Sequence, residues 1–149
     1  MEAALRLLEY LARSRQELTQ RLQRKGVEPP VIDETLARLT TQGYVNDEAF
    51  ARQWVESRLR TGHGRRRIAL ELRIKGIASA TIREALGELA DAAHEAEAAG
   101  QLARARLRLW RGLAPAAQRR RVYGLLQRRG YAADVIERVL ARLVSDESD

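Results

Sequence analysis

The sequence contains no cysteine, only two histidines and only three prolines among its 149 residues. The lack of cysteine excludes a disulfide scaffold and every zinc or iron–sulfur site that needs thiolate ligands. No run approaches the roughly 18 consecutive apolar residues of a membrane-spanning helix, and the first residues lack the basic-then-apolar order of a secretory signal. We therefore expect a soluble protein of the reducing cytoplasm that does not contact membranes and is not exported by that route.

The usual catalytic and metal-binding motifs are also missing from the sequence. His63 and His94 have neither a carboxylate nor a second histidine at the spacing of a recognisable metal site. Gly62-His63-Gly64-Arg65 lacks the Gly-Lys-Ser/Thr ending and the preceding strand of a phosphate-binding loop, which favours a plain turn. The paired acids Asp33-Glu34 and Asp47-Glu48 are typical of helix N-termini. We expect no enzymatic activity, no metal and no cofactor.

Arginine, in contrast, is abundant. The chain has 25 arginines and 2 lysines against 20 acidic residues, which gives a formal charge of +7. A GC-rich genome would explain the preference for arginine over lysine, but it does not explain why the arginines cluster. At 45% hydrophobic residues the chain can build a core, which excludes disorder of the whole chain. Nucleic acid or an acidic protein surface is the natural partner of such a chain.

Apolar residues recur at three- and four-residue steps, the period of one helix face, and strand-like alternation is absent. In the first third of the chain these residues are Leu5, Leu8, Leu11, Leu18, Leu22, Ile32, Leu36 and Leu39. Ser14-Arg15-Gln16-Glu17 has the pattern of a capping box, and Pro30 and Pro115 suit the first turn of a helix. Five glycines follow amphipathic runs and should end helices: Gly26, Gly43, Gly62, Gly76 and Gly130. We predict eight or nine helices and no strands.

Three of these glycine turns belong to an internal repeat. Lys25-Gly26, Lys75-Gly76 and Arg129-Gly130 lie 50 and 54 residues apart. The apolar positions after each glycine keep one register: Ile32, Leu36 and Leu39, then Ile82, Leu86 and Leu89, then Ile136, Leu140 and Leu143. The pattern predicts an all-α, elongated tandem array of three three-helix repeats.

We place the three units at residues 1–43, 44–91 and 92–144 and expect residues 145–149 to form a disordered acidic tail. The stretch from Leu89 to Gln101 is compatible either with one continuous helix or with a bend between repeats.

The positive charge is concentrated in the third unit, which alone carries a net +7. Arginine triplets stand at equivalent positions of the second and third units, at the start of the same helix, where they oppose the helix dipole unless an anion is bound. A solvated charged face is the alternative interpretation. The candidate partner-binding residues are Arg65, Arg66, Arg67, Arg73, Lys75, Arg104, Arg108, Arg111, Arg119, Arg120, Arg121, Arg128 and Arg129.

The few aromatic residues favour packing roles. Phe50 and Trp54 are four residues apart on one helix, with Tyr44 just before it, which favours packing between units. Tyr131 takes the core position of Val27 and Ile77. Trp110 is expected to pack in the core or between repeats, with stacking on a base or a partner side chain as the alternative.

The second unit carries a specific signature. It runs from Gly43-Tyr44-Val45-Asn46-Asp47-Glu48-Ala49-Phe50-Ala51-Arg52 through Ser57-Arg58, Gly62-His63-Gly64 and Arg67-Ile68 to Glu71-Leu72-Arg73 and Lys75-Gly76-Ile77. This pattern closely resembles the RecX regulatory-protein family, and the resemblance extends to the flanking units. The family often has proline where this chain has Arg65.

The resemblance implies a cytoplasmic, monomeric bacterial protein built of tandem three-helix units. It implies binding to the RecA recombinase filament and modulation, usually inhibition, of its ATP hydrolysis and strand exchange, within DNA repair, recombination and the SOS response. Contact with single- or double-stranded DNA is compatible with this role. The alternative is a helical module that binds DNA directly and competes for phosphates.

Overall fold

The computed structural model describes residues 1–10 and 12–146, without the side chains of Glu9, Tyr10 and Leu89. These residues form nine α-helices, one short 3₁₀ helix and no strand, which confirms the all-α prediction. The helices are α1 (Glu2–Tyr10), α2 (Arg15–Arg24), α3 (Pro29–Thr41), α4 (Asp47–Arg60), α5 (Arg65–Ile74), α6 (Ser79–Leu89), α7 (Ala92–Leu107), α8 (Pro115–Arg128) and α9 (Ala133–Asp146), with the 3₁₀ helix at Arg108–Trp110.

Some predicted positions lie outside this description. They are Leu11, the side chain of Leu89 and tail residues 147–149. The first two residues of the predicted tail differ from expectation, because α9 continues to Asp146 and the Ser145 hydroxyl donates to the Ala141 carbonyl at 3.2 Å.

The glycine turns form as the sequence predicts. All five predicted glycines, and no other described residue, have a positive φ, between 76° and 87°. At the three repeated turns the residue after the glycine donates its N–H back into the helix: Val27 to Leu22, Ile77 to Leu72 and Tyr131 to Leu126, each at 3.0–3.1 Å. This is the hydrogen bond of a Schellman ending, so the three repeated turns share one geometry, which the turns at Gly43 and Gly62 also adopt.

Helix starts agree with the sequence in part. The prediction that both arginine triplets begin a helix is right for Arg65 on α5 and wrong for Arg119, because α8 begins four residues earlier at Pro115. Pro29 and Pro115 begin α3 and α8, where a missing N–H costs nothing. The predicted capping box forms only half: the Ser14 hydroxyl accepts from the Glu17 N–H at 3.2 Å, whereas the Glu17 carboxylate pairs with Lys75 in the second unit. Between the second and third units the chain bends, since α6 ends at Leu89 and Asp91 caps a new helix that runs through Gly100.

Each group of three helices encloses its own hydrophobic cluster. The first contains Ala4, Leu18, Leu22, Ile32, Leu36, Leu39 and Val45. The second contains Phe50, Ala51, Val55, Ile68, Leu72, Ile77, Ile82, Ala85, Leu86 and Ala90, and the third Ala96, Ala99, Ala103, Val122, Leu126, Tyr131, Val135, Ile136, Val139 and Leu140. The predicted core role of Tyr131 is thereby confirmed. Val45 packs in the first cluster although we assigned it to the second unit, and the exact unit boundaries stay predictions.

Candidate partner-binding surface

The first and second units meet where the N-terminus of α2 contacts the end of α5. The Ser14 hydroxyl donates to the Lys75 carbonyl at 2.7 Å, and the Gln16 side-chain amide donates to the Ile74 carbonyl at 3.1 Å. The Arg15 backbone N–H donates to the Asp47 carboxylate at 2.9 Å. Asp47 therefore serves the N-terminus of α2 in the neighbouring unit as well as the dipole of its own helix.

The second and third units meet in the same way, one repeat further along. Gly64 donates its N–H to the Arg129 carbonyl at 2.7 Å, and Arg66 donates its N–H to the Gly130 carbonyl at 3.2 Å. A Cβ on Gly64 would lie 2.5 Å from the Gly130 carbonyl carbon and oxygen, so that only glycine allows this approach. The start of the second helix in one unit thus packs on the glycine turn of the next unit.

The arginine triplet of α5 does not need an external anion. The Arg65 backbone N–H donates to the Glu95 carboxylate at 3.0 Å, and Glu95 is only 6% exposed. This carboxylate from α7 supplies the negative charge that the N-terminus of α5 favours. The Arg65 guanidinium donates to the Ala90 carbonyl at 3.0 Å, so its side chain is held at the bend between the second and third units.

Six of the thirteen candidate residues have side chains that bond to or pack against other groups of the protein. Besides Arg65, these are Lys75 (paired with Glu17), Arg67 (3.5 Å from Glu71), Arg104 (3.8 Å from Glu97), Arg129 (which donates to the Thr61 carbonyl at 2.8 Å) and Arg121 (over the Trp110 ring). The pairing with Glu17 makes Lys75 part of the junction between the first two units, and its ammonium also lies 4.4 Å from the Trp54 ring centroid within the second unit.

The other seven candidates are exposed, and their guanidinium groups have no hydrogen bond or ion pair with any residue that the structure describes. Two lie on α5, Arg66 and Arg73. The remaining five, Arg108, Arg111, Arg119, Arg120 and Arg128, lie in the third unit, and we call them the arginine surface. Unpaired guanidiniums keep all their donors available for a carboxylate or phosphate.

Part of the arginine surface lines an open cleft of about 530 Å³. Its lining includes Trp110, Gly124, Arg120, Arg121 and Arg128. The Arg121 guanidinium carbon lies 5.6 Å from the Trp110 ring centroid, which holds that side chain in place. A Cβ on Gly124 would lie 3.1 Å from an Arg128 guanidinium nitrogen, so that glycine leaves room for Arg128 to cross the helix.

A second, shallower cleft of about 320 Å³ is lined by Arg104, Arg108 and Arg111 together with Gln118. The short 3₁₀ helix between α7 and α8 places Arg108 and Arg111 beside α8. The third-unit arginines therefore line separate clefts: Arg104, Arg108 and Arg111 line this one, and Arg120, Arg121 and Arg128 line the larger one. Arg119 lines a third cleft, beside Leu107 and Val122.

The histidines and aromatic residues are placed mostly as the sequence predicts. His63 contacts the Thr61 hydroxyl at 3.0 Å, and burial followed by the charge of Arg58 lowers its pKa. Phe50 and Trp54 stack with ring centroids 6.0 Å apart; Phe50 is buried in the cluster of the second unit and Trp54 packs against that cluster. Both rings also line a cleft that includes first-unit residues. Tyr44 differs, because it is 58% exposed.

Among the described residues no group of three or more histidine or acidic side chains is placed to hold a metal ion. None of the described helices has the length and apolar character needed to cross a bilayer.

Sequence reasoning missed Glu95 and Gly124. Neither belongs to a local motif. Glu95 accepts from Arg65, which only folding brings near, and Gly124 leaves space for the Arg128 side chain one helix turn later. The repeat itself was the available signal for Glu95. Asp47 and Glu95 both lie in the first turn of the first helix of a unit. Each carboxylate accepts a hydrogen bond from a backbone N–H at the start of the second helix of the preceding unit.

The comparisons with known proteins agree with this architecture. The first, second and third three-helix domains of RecX match residues 1–39, 46–86 and 94–140 respectively. The regulatory protein RecX of Streptomyces coelicolor is 38% identical over 146 residues, which cover 97% of this chain and 77% of that protein. That of Mycolicibacterium smegmatis is 44% identical, over 92% of this chain and 77% of that protein.

The crystal structure of RecX from Lactobacillus salivarius superimposes with a TM-score of 0.86 at 24% identity, over 95% of this chain and 92% of that one. This likeness shows the fold. Taken with the three matched domains and the relatives' identity over nearly the whole chain, it places the chain in the RecX family of regulatory proteins.

Proposed function

We propose that this protein binds the RecA recombinase or its DNA filament in the bacterial cytoplasm and inhibits ATP hydrolysis and strand exchange. It would act in DNA repair and recombination by binding, not by catalysis, and would need no cofactor. Membership in a family of regulatory proteins supports a regulatory role. The partner and the inhibition are implied by the family resemblance and by the chemistry of the surface.

The observation that carries the proposal is the arginine surface. Its five guanidiniums are exposed and unpaired among the described residues, although acidic side chains elsewhere in the chain pair with other arginines. If these arginines served to stabilise the fold through ion pairs, their N–H donors would be bound to acidic side chains of the same protein. A recombinase filament offers both acidic protein surface and DNA phosphates, and guanidinium groups bind either anion in a bidentate manner.

The tandem arrangement supports a partner that is itself repetitive. Three units joined by hydrogen bonds at both junctions present several separate surfaces on one body. Weak contacts on such a body reinforce one another, because binding of the first raises the effective concentration of the others. A filament of identical subunits is a partner of this kind.

A second candidate function is direct DNA binding that competes with the recombinase for phosphates. The cleft lined by Trp110, Arg120, Arg121 and Arg128 favours it, since an aromatic ring and three cations share one surface. Binding of this kind weakens steeply with salt, with a log–log slope of roughly −0.7 to −0.9 for each phosphate contacted.

The arginine surface can be tested with the triple variant Arg119→Ala, Arg120→Ala and Arg121→Ala. We expect weaker binding to the recombinase filament with unchanged helical content by circular dichroism. The matched control removes the same charge from exposed arginines outside the candidate set, Arg83, Arg138 and Arg142. Equal loss of affinity in both variants would show a nonspecific charge effect, and unfolding of the first would show that its arginines are structural.

A further inference from the structure

The exposed face of α5 carries two large apolar side chains that no described residue covers. Leu70 is 51% exposed and Ile74 is 69% exposed, and their spacing of four residues places them next to each other on the helix. The opposite face buries Ile68 and Leu72 completely in the core of the second unit. The helix is therefore apolar on two faces, and only one of them is explained by the fold.

The repeat shows that the fold does not require apolar residues at these two positions. In the first unit the equivalent residues, 50 positions earlier, are Gln20 and Arg24. In the third unit the equivalents, 54 positions later, are Gly124 and Arg128. Arg24, Ile74 and Arg128 are all exposed, so this position faces solvent in every unit. At the other position Gln20 and Leu70 are exposed and Gly124 is half-buried. Leucine and isoleucine in the second unit alone indicate a role other than folding.

The charges beside this pair are positive and unpaired. Arg66 lies one turn before Leu70, and Arg73 precedes Ile74, and neither guanidinium bonds to a described residue. The one acidic residue of α5, Glu71, is instead bound by Arg58 at 2.8 Å and is largely buried. We call Arg66, Leu70, Arg73 and Ile74 the α5 stripe.

The α5 stripe is held in place at both ends of its helix. The start of α5 bonds to the glycine turn of the third unit and to Glu95, and its last residues accept hydrogen bonds from Ser14 and Gln16 of the first unit. A surface ordered before binding loses less conformational entropy when a partner docks. Among the second helices of the three units, α5 alone has a neighbouring unit at each end.

We propose that the α5 stripe is a docking surface for a protein whose own surface places an apolar side chain among carboxylates. Leu70 and Ile74 would be buried at the centre of the contact, and Arg66 and Arg73 would pair with the surrounding acids. The phosphate backbone of DNA matches the arginines but offers the two apolar side chains no comparable burial. This inference rests on the proposed function, because it assigns the contact with the recombinase protein to this stripe.

The test uses the full chain with Leu70→Gln and Ile74→Gln, since glutamine favours helix and the positions face solvent. Binding is measured by co-sedimentation with RecA filaments formed on single-stranded DNA, and separately to naked single-stranded DNA. The matched control is Val31→Gln, another exposed apolar residue on a helix, 47% exposed on α3. Arg66→Gln with Arg73→Gln tests the charged half of the stripe.

We expect the Leu70→Gln, Ile74→Gln variant to bind filaments at least about tenfold more weakly. Its affinity for naked DNA and its circular dichroism should stay unchanged, and Val31→Gln should bind like the wild type. Three results would overturn this inference and leave the proposed function standing. The stripe variant could bind filaments as the wild type does, it could lose affinity for naked DNA to the same extent, or it could unfold. A wild-type protein that does not bind filaments would overturn the proposed function, and this inference with it.

Discussion

Gly64 and Gly130 lie against each other at the junction of the second and third units, where backbone contacts backbone. Gly64 has an ordinary φ of −90°, so its identity is required by space and not by conformation. Gly130 requires glycine for both reasons: its φ is +87°, and a Cβ there would lie 2.4 Å from the Arg67 nitrogen. Such contacts make single residues decisive for the arrangement of units.

Replacing Gly64 with alanine should lower the free energy of unfolding by about 2–3 kcal/mol, since the added methyl group collides with a carbonyl that cannot move independently. The matched substitution is Gly87→Ala, in the exposed interior of α6 with no atom within 4 Å of the new methyl group. That change should stabilise the protein by about 0.5–1 kcal/mol. Urea unfolding measures both free energies. An unchanged free energy of unfolding in Gly64→Ala would show that the two backbones at the junction are not closely packed.

Tyr131 gives the stability of the protein a pH dependence in alkaline solution. Burial, followed by the nearby charge of Glu95, raises the pKa of the phenol from 10.0 to about 12. The folded state therefore holds this proton more tightly than the unfolded state does. Its contribution to stability is complete below about pH 10 and is lost as the pH rises toward about 12.

Over that interval the free energy of unfolding should fall by about 2–3 kcal/mol more in the wild type than in Tyr131→Phe. The substitution removes the titrating group and leaves no partner unpaired, because the buried hydroxyl has no hydrogen-bond partner among the described residues. Urea unfolding at a series of pH values measures the difference. Identical pH dependence in the two proteins would show that burial does not raise the pKa of Tyr131.

At the scale of the helices, the sequence predicts what depends on local chemistry. Proline starts, glycine ends and the register of apolar residues all form as predicted, because each depends on residues within a few positions. The junctions were not predictable, since Ser14 and Lys75 are 61 residues apart and no local signal joins them. The internal roles of Lys75 and Arg65 were likewise not predictable, because their partners Glu17 and Glu95 lie 58 and 30 residues away in sequence.

A substitution at Ser14 tests whether the residue that caps α2 also stabilises the contact between the first and second units. Ser14→Ala removes the cap of α2 and the hydrogen bond to the Lys75 carbonyl, at a cost of about 1–2 kcal/mol. Asn46→Ala is the matched control, because the Asn46 side chain caps α4 through the Ala49 N–H and forms no hydrogen bond with a described residue of another unit. Hydrogen exchange should accelerate in α1 and α2 only in Ser14→Ala, and equal acceleration in both variants would contradict a fastening role.

At the scale of the whole molecule, one fold repeated three times presents three different surfaces. Two equivalent positions of the second helix hold Gln20 and Arg24 in the first unit, Leu70 and Ile74 in the second, and Gly124 and Arg128 in the third. The common core residues maintain the fold, which leaves the exposed positions free to differ. The sequence predicted the charged surface because charge is visible in composition, whereas the apolar stripe became visible only once burial separated core from surface.

The most direct test of the central claim, that this protein regulates the recombinase by binding its filament, is DNA-dependent ATP hydrolysis by RecA. The protein is titrated at two DNA concentrations while the recombinase concentration is held fixed. We predict inhibition that follows the ratio of this protein to recombinase and does not change with excess DNA. Inhibition that added DNA relieves would contradict the claim and show competition for phosphates instead.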